Sequence, residues 1–174
     1  MKIPTKVILA MSALECARTS DFIAWAIDEL VAGRESDALA VLAGFDERVS
    51  SFELGEYFQK AKRELCVAEP TRAEAMNQYT TYLAQRILES GSDYRSIVAK
   101  LAKLCYSNDY PSYLMEWYDL EDGLCDIESA KNYPFAYEAL YQADPRVIAE
   151  DLARSFLKNK ESEQGADGDA EEAV

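Results

Sequence analysis

The stretch SDFIAWAIDELVAG at residues 20–33 decides the fold class. Its apolar residues recur at the spacing of an α-helix that buries one side. Ser20 is a favourable N-cap before this run, and Gly33 is a favourable stop after it. The predicted buried stripe consists of Phe22, Ile23, Ala26, Ile27, Leu30 and Val31. The stretch therefore predicts an amphipathic helix and not a strand.

The same combination of cap, apolar stripe and stop recurs along the whole chain. Further helix starts are predicted at Ser36, at the capping boxes Ser50/Glu53 and Thr71/Glu74, at Ser92 and at Asp144-Pro145. A short helix, FAYEALYQ, is predicted after Tyr133-Pro134. Strand patterns are nearly absent. The sequence predicts an all-α, single-domain bundle of about seven to nine helices, with stacked helix pairs as an open alternative.

The length and composition of the chain predict one domain and a tail. A chain of 174 residues with 49% hydrophobic residues can bury one sizeable core. Residues 161–174, ESEQGADGDAEEAV, contain acidic residues, no basic residue and almost no large apolar side chain. Such a segment cannot bury enough surface to order itself. We therefore predict an all-helical domain over residues 1–160 and a disordered acidic tail over residues 161–174.

The charge balance restricts the classes of partner and of chemistry. The chain has 18 basic and 32 acidic residues, a net charge of −14, and no histidine. An acidic surface repels the phosphate backbone of nucleic acid, so no nucleic-acid ligand is predicted. Without histidine, the usual general base and the commonest metal ligand are missing. Catalytic triads and zinc sites that need histidine are therefore excluded.

The cysteines and the first residues favour a cytoplasmic protein. Cys16, Cys66, Cys105 and Cys125 form no Cys-x-x-Cys pair, and we interpret them as reduced core thiols. The segment MKIPTKVILAMSALECA resembles a short export signal, but its apolar run is short and Glu15 precedes the cysteine. A helix starting at Pro4 explains this segment better. No apolar stretch is long enough for a membrane span.

Residues 116–128, EWYDLEDGLCDIE, form the candidate site because they combine acidic and aromatic side chains. Tyrosine and tryptophan are enriched where binding energy concentrates, and acidic neighbours attract a basic partner. The candidate binding residues are Trp117, Tyr118, Asp119, Glu121, Asp122, Asp126, Tyr110 and Tyr113. Adjacent residues of a helix point about 100° apart, so Trp117 and Tyr118 cannot both lie in one core stripe. We expect one of these two rings to be at least partly exposed beside the carboxylates.

Two carboxylate pairs suggest an alternative, a magnesium site. Glu53 and Glu56 are three residues apart, as are Glu116 and Asp119, so each pair shares one helix face. The pairs resemble those of all-α nucleoside triphosphate pyrophosphatases, which implies a magnesium-dependent nucleotide hydrolase. The chain departs from that family because sixty residues separate Glu56 from Glu116. Carboxylates at this spacing also occur on ordinary solvated helix faces.

A second resemblance covers residues 20–126. The segments WAIDELVAG, LAGFD, FELGEYFQKAKREL and EWYDLEDGL resemble a group of small bacterial helical proteins, some of which are thought to be immunity partners of secreted toxins. This resemblance implies fold and origin and carries no site residues. The leading hypothesis is a non-enzymatic acidic binding protein without a cofactor, of the immunity or antitoxin kind, that inhibits a basic partner protein. The alternatives are the magnesium-dependent hydrolase and a structural or oligomeric scaffold.

Overall fold

A computed structural model of the chain describes residues 2–128 and 144–168. Within these residues every regular element is helical, which confirms the predicted all-α class. The α-helices are α1 (Thr5–Ala13), α2 (Thr19–Val31), α3 (Asp37–Ala43), α4 (Ser51–Glu64), α5 (Arg72–Ile87), α6 (Tyr94–Tyr106), α7 (Met115–Glu128) and α8 (Pro145–Gly168). A short 3₁₀ turn, Ser112–Leu114, precedes α7. The helix predicted at residues 135–142 lies outside the described residues.

The chain forms two compact units, Met1–Tyr79 and Thr80–Val174, and the boundary between them falls inside α5. The prediction of a single domain over residues 1–160 stays a prediction.

The first unit is built around α3, which packs against both α2 and α4, while α1 contacts α2. Its centre is an aromatic group in which Phe58 meets Phe22 and Trp25 edge to face, at centroid distances of 4.7 and 5.4 Å. Edge-to-face packing suits the ring quadrupoles and adds to the gain from burial. The surrounding core contains Ile8, Leu9, Ala26, Ala38, Leu39, Leu42, Leu54 and Ala61.

The predicted buried face of α2 is wrong in part. The buried residues of this helix are Trp25, Ala26 and Glu29. Ile27 is 45% exposed and Val31 is 84% exposed, although the sequence predicts both in the core stripe. Burial of the larger Trp25 ring rotates the helix away from that stripe, because aromatic rings contribute the most buried area. The start also differs, since Arg18 occupies the N-cap and its backbone N–H donates to Asp21.

The other predicted helix starts are correct or displaced by one residue. Ser36 and Ser50 accept N-cap hydrogen bonds from the backbone N–H groups of Leu39 and Glu53. Thr71 and Glu74 form a complete capping box, with bonds of 2.7 and 3.2 Å in the two directions. Helix α6 begins after Asp93 and not after Ser92, because the Asp93 carboxylate accepts the bond from Ser96.

The second unit pairs α6 closely with α7, and α8 contacts both of these helices. Its buried residues include Ile97, Val98, Leu101, Leu104, Leu114, Trp117, Leu120, Leu124, Ala149, Ala153 and Phe156. The predicted start of α8 is confirmed, since the Asp144 carboxylate accepts a 2.8 Å bond from the backbone of Arg146. Helix α8 continues to Gly168 and so includes residues 161–168, for which the sequence predicts disorder. Residues 169–174 lie outside the described residues.

None of the four cysteines, all of which lie in the described residues, forms a disulfide, and only one of them is buried in the core. Cys105 is buried, and Cys16 is half-buried with its thiol donating to the backbone oxygen of Met11. Cys66 and Cys125 are exposed, so their assignment to the core is wrong. Cys66 follows the end of α4 in a left-handed conformation with φ 53°, which places it in a surface turn.

Candidate protein-binding face

Helix α7 divides the acidic stretch into a buried side and an exposed side. Trp117, Leu120 and Leu124 are buried. At about 100° per residue, Tyr118, Asp119, Asp122 and Asp126 fall within one arc on the opposite side. Asp119 and Asp122 are exposed, whereas Tyr118 and Asp126 are half-buried. The acidic stretch is therefore an amphipathic helix whose outer side carries one tyrosine among three carboxylates.

Trp117 lies on the buried side of α7, and its role as a binding residue stays a prediction. The ring is 0% exposed and meets Phe156 of α8 at a centroid distance of 6.2 Å, edge to face. Its indole Nε1 is buried without a hydrogen-bond partner among the described residues. The expectation that one of the two adjacent rings is partly exposed is met by Tyr118.

The turn after α6 brings a second tyrosine to this side of α7. Asp109 and Tyr110 are both left-handed, with φ values of 59° and 52°. The backbone N–H of Tyr110 bonds to the oxygen of Cys105 at 3.0 Å, which closes the turn. As a result the rings of Tyr110 and Tyr118 meet edge to face, with centroids 5.5 Å apart. Tyr110 is 51% exposed, so the pair forms a surface feature.

Negative charge surrounds this tyrosine pair. The pKa of Tyr118 is raised above its ordinary value, first by Tyr110, then by partial desolvation and by the carboxylates of Asp122 and Asp119. The phenol therefore stays neutral near pH 7 and can donate a hydrogen bond. In the described part of the chain, no cation forms an ion pair with Asp119 or Asp122. We call Tyr110, Tyr118, Asp119 and Asp122 the tyrosine–carboxylate face.

Two predicted members of the site have partners within the second unit. Glu121 forms an ion pair with Arg95 of α6, and Arg95 also contacts the thiol of Cys125 at 3.4 Å. The ammonium of Lys160 lies over the Tyr113 ring, 4.7 Å from its centroid. Partial burial raises the pKa of Tyr113. Glu121 and Tyr113 therefore connect α7 and its preceding turn to α6 and α8, and they contribute less to the open face.

The carboxylate pairs of the magnesium hypothesis lie on separate helices. Glu53 and Glu56 are exposed on α4, and Glu116 and Asp119 are exposed on α7. Across residues 2–128 and 144–168, no group of three or more acidic or cysteine side chains lies close enough to hold a metal ion. A hydrolase of the suggested kind requires several carboxylates around one cation. The hydrolase alternative stays a prediction.

The first unit contains two clusters of buried polar side chains that the sequence does not predict. Glu29 is buried and bonds to Thr5 of α1. Lys62 is buried and forms an ion pair with Glu69. Helical spacing places Lys62 four residues after Phe58, on the inner side, but a lysine at such a position normally extends to solvent. The partners that allow burial come from other segments, so the spacing alone gives no sign of either cluster.

Comparison of the chain with protein-family models, with curated proteins and with solved structures finds no match. The resemblance of residues 20–126 to immunity-type proteins stays a prediction. None of the helices in the described ranges has the length and apolar character that a membrane crossing requires. The geometry of the tyrosine–carboxylate face is therefore the main source for a functional proposal.

Proposed function

We propose that this chain is a non-enzymatic binding protein whose tyrosine–carboxylate face takes a basic partner protein. The observation that carries the proposal is the Tyr110–Tyr118 pair, partly exposed with ring centroids 5.5 Å apart. Beside it lie the carboxylates of Asp119 and Asp122, which have no ion-pair partner within residues 2–128 and 144–168. Aromatic rings offer large and rigid contact area with a polar tip. Lysine or arginine side chains of a partner can contact both the ring faces and the carboxylates.

Electrostatics supports a basic partner. The chain has a net charge of −14, and the carboxylates of the face have no basic residue to compensate them within the described residues. A single-sign surface speeds diffusional encounter with an oppositely charged protein and suppresses association with acidic ones. The same charge repels nucleic acid, so a protein partner is favoured.

The finer proposal is an inhibitor of the immunity or antitoxin kind that acts in the cytoplasm. Such a protein needs no catalytic group of its own, because it works by covering a functional surface of its partner. The absence of histidine from the chain agrees with this role. The resemblance of residues 20–126 to small bacterial helical proteins is what suggests inhibition rather than scaffolding.

The proposal is tested by isolating the partner and measuring its binding kinetics. The full chain is cross-linked in a lysate of its native host, and captured proteins are identified by mass spectrometry. A purified candidate is then bound to the wild type and to Y118A. Loss of a central aromatic contact should accelerate dissociation about tenfold or more, corresponding to at least 1.4 kcal/mol, and change association little. An acidic partner, or a Y118A variant with unchanged dissociation, would contradict the proposal.

A further inference from the structure

The first unit contains a cavity beside the end of α4. Its volume is about 160 Å³, and it is open to solvent on one side. Its lining combines three apolar side chains with polar ones from α1, from α4 and from the α4–α5 connection. The lining residues are Leu9, Ser12, Ala13, Gln59, Lys62, Glu69 and Pro70.

Lys62 is the basic residue that lines this cavity. It is only 5% exposed, whereas most lysines extend into water. Its ammonium lies 4.9 Å from the centre of the Phe58 ring, which provides a cation–π contact but no hydrogen-bond acceptor. An ammonium has three N–H donors and loses much solvation energy on burial. An anionic partner in the cavity is therefore needed.

That partner is the carboxylate of Glu69, from the connection between α4 and α5. Glu69 forms an ion pair with Lys62, and the side chain of Gln59 lines the same cavity. Lys62 is the main cause of the lowered pKa of Glu69, and the neighbouring Gln59 amide adds to it. The side chain of Glu69 is nevertheless 63% exposed. Lys62 and Gln59 thus form a site that suits a carboxylate, and in this structure Glu69 of the α4–α5 connection supplies that carboxylate.

We propose that this cavity is a binding site for a small aliphatic monocarboxylate, which replaces Glu69 on Lys62 and Gln59. The carboxylate end meets the two polar groups, and the hydrocarbon end contacts Leu9, Ala13 and Pro70. A cavity of ~150 Å³ holds one benzene molecule, so the space suits a short chain such as that of butyrate. A larger acid would extend into solvent through the open side.

Glu69 competes with such a ligand because it is tethered to the same unit. A group on a short flexible connection has an effective concentration of about the millimolar range. An external acid must displace this internal carboxylate in the wild type. Removal of the Glu69 carboxylate leaves Lys62 without its partner and should therefore strengthen binding of the acid.

The test is a titration with butyrate followed by amide chemical shifts in the full chain. Wild type, E69A, the double variant K62M/E69A and E56A are compared. Glu56 is an exposed glutamate of α4, the helix that carries Lys62, so E56A controls for the loss of one surface carboxylate. In E69A we expect butyrate to cause saturable chemical-shift changes at the backbone amides of Ala13 and Gln59. The affinity of E69A for butyrate should be at least tenfold higher than that of the wild type and of E56A. The double variant should show no saturable shift.

Butylammonium chloride provides the matched ligand of opposite charge and should leave these amides unchanged. The E69A substitution leaves the buried Lys62 ammonium without its anionic partner and should therefore lower the stability. The dispersion of the amide spectrum first verifies that the variant is folded, and E69Q, which keeps an amide oxygen for Lys62, gives the same comparison if E69A does not fold. Absence of saturable shifts in E69A would overturn the proposal. Equal affinity in E69A and in K62M/E69A would overturn it as well, because binding would then not depend on the lysine.

Discussion

Thr5 connects two buried polar groups of the first unit. Its hydroxyl donates to Glu29 Oε1 at 3.0 Å and accepts from the indole Nε1 of Trp25 at 3.4 Å. The other carboxylate oxygen of Glu29 lies 3.0 Å from Arg34 Nε. Glu29 is 3% exposed, and a carboxylate at this depth requires partners. The hydroxyl of one threonine therefore allows both Trp25 and Glu29 to lie inside.

The first prediction concerns this hydroxyl. T5V keeps the shape of the side chain but leaves the Trp25 donor and one Glu29 oxygen unsatisfied. We expect a loss of about 2 kcal/mol in the free energy of unfolding, since an unsatisfied buried polar group costs about 1–3 kcal/mol. Urea denaturation measures the change. T5S retains the hydroxyl and should lose less than about 1 kcal/mol. Equal stability of T5V and T5S would show that the bonds contribute nothing.

The second prediction separates the two adjacent aromatic residues of α7. Trp117 is buried against Phe156, so W117F should leave partner binding within about twofold while lowering the stability by about 1–3 kcal/mol. Y118A should show the opposite pattern, with weaker binding and a stability change below about 1 kcal/mol, because Tyr118 is only half-buried. Calorimetry and partner titration give both quantities. A larger binding defect in W117F than in Y118A would place the site elsewhere.

At the scale of the element, caps decide where the helices begin. The sequence predicts the starts of α5 and α8 correctly because each has a single good capping residue beside its first turn, and it predicts the start of α4 correctly because Glu53, three residues after Ser50, favours Ser50 over the adjacent Ser51. It misplaces the start of α6 because Ser92 and Asp93 are adjacent candidates, and the Ser92 hydroxyl instead bonds to the backbone oxygen of Ile87. Capping preferences do not distinguish two adjacent candidates of this kind, because either side chain can instead bond to a backbone group of the preceding turn.

The third prediction concerns the capping box of α5. T71A removes the hydroxyl that accepts from the backbone of Glu74, so the variant should be about 1 kcal/mol less stable. T71S keeps the hydroxyl and serves as the control. If chemical denaturation shows the same stability for T71A and T71S, the box does not stabilise the start of α5.

The fourth prediction is a pH dependence at the same box. Hydrogen bonds from the backbone N–H and the hydroxyl of Thr71 hold the pKa of the Glu74 carboxyl below its ordinary value. A depressed folded-state pKa stabilises the protein above the unfolded-state pKa, and the stabilisation is lost as the pH falls through the folded-state value. Below about pH 4.5, the stability of the wild type should therefore fall more steeply than that of E74Q. Parallel stability curves of the two proteins in this range would contradict the prediction.

At the scale of the whole molecule, the helical class follows from the sequence but the burial of particular faces does not. Ile27 and Val31 have the spacing of core residues, yet they are exposed, because Trp25 and the Thr5–Glu29 bond set the rotation of α2. Trp117 is buried through contact with Phe156 of α8, and Tyr110 reaches Tyr118 through a left-handed turn. The position of each of these side chains depends on a contact with a residue distant in sequence or on an unusual backbone conformation. The periodicity of apolar residues predicts neither of these.

The fifth prediction concerns the acidic end of the chain. Removal of residues 161–174 keeps Lys160, whose ammonium contacts the rings of Tyr113 and Phe156. We expect the free energy of unfolding to change by less than about 1 kcal/mol, although α8 becomes shorter. A chain that ends before Phe156 is the matched control and should lose several kcal/mol, since Trp117 then loses its ring partner. A large loss on removal of 161–174 alone would mean that this segment docks on the protein.

The most direct test of the central claim is the affinity of two charge-reversed variants for the captured partner. D119K/D122K reverses the open face, and E53K/E56K reverses two exposed carboxylates of α4 at the same helical spacing, so both change the net charge equally. We expect D119K/D122K to associate at least tenfold more slowly than the wild type and with no salt dependence, while E53K/E56K binds nearly as the wild type does. Equal binding by the two variants would contradict it, because the partner would then respond to overall charge and not to the tyrosine–carboxylate face.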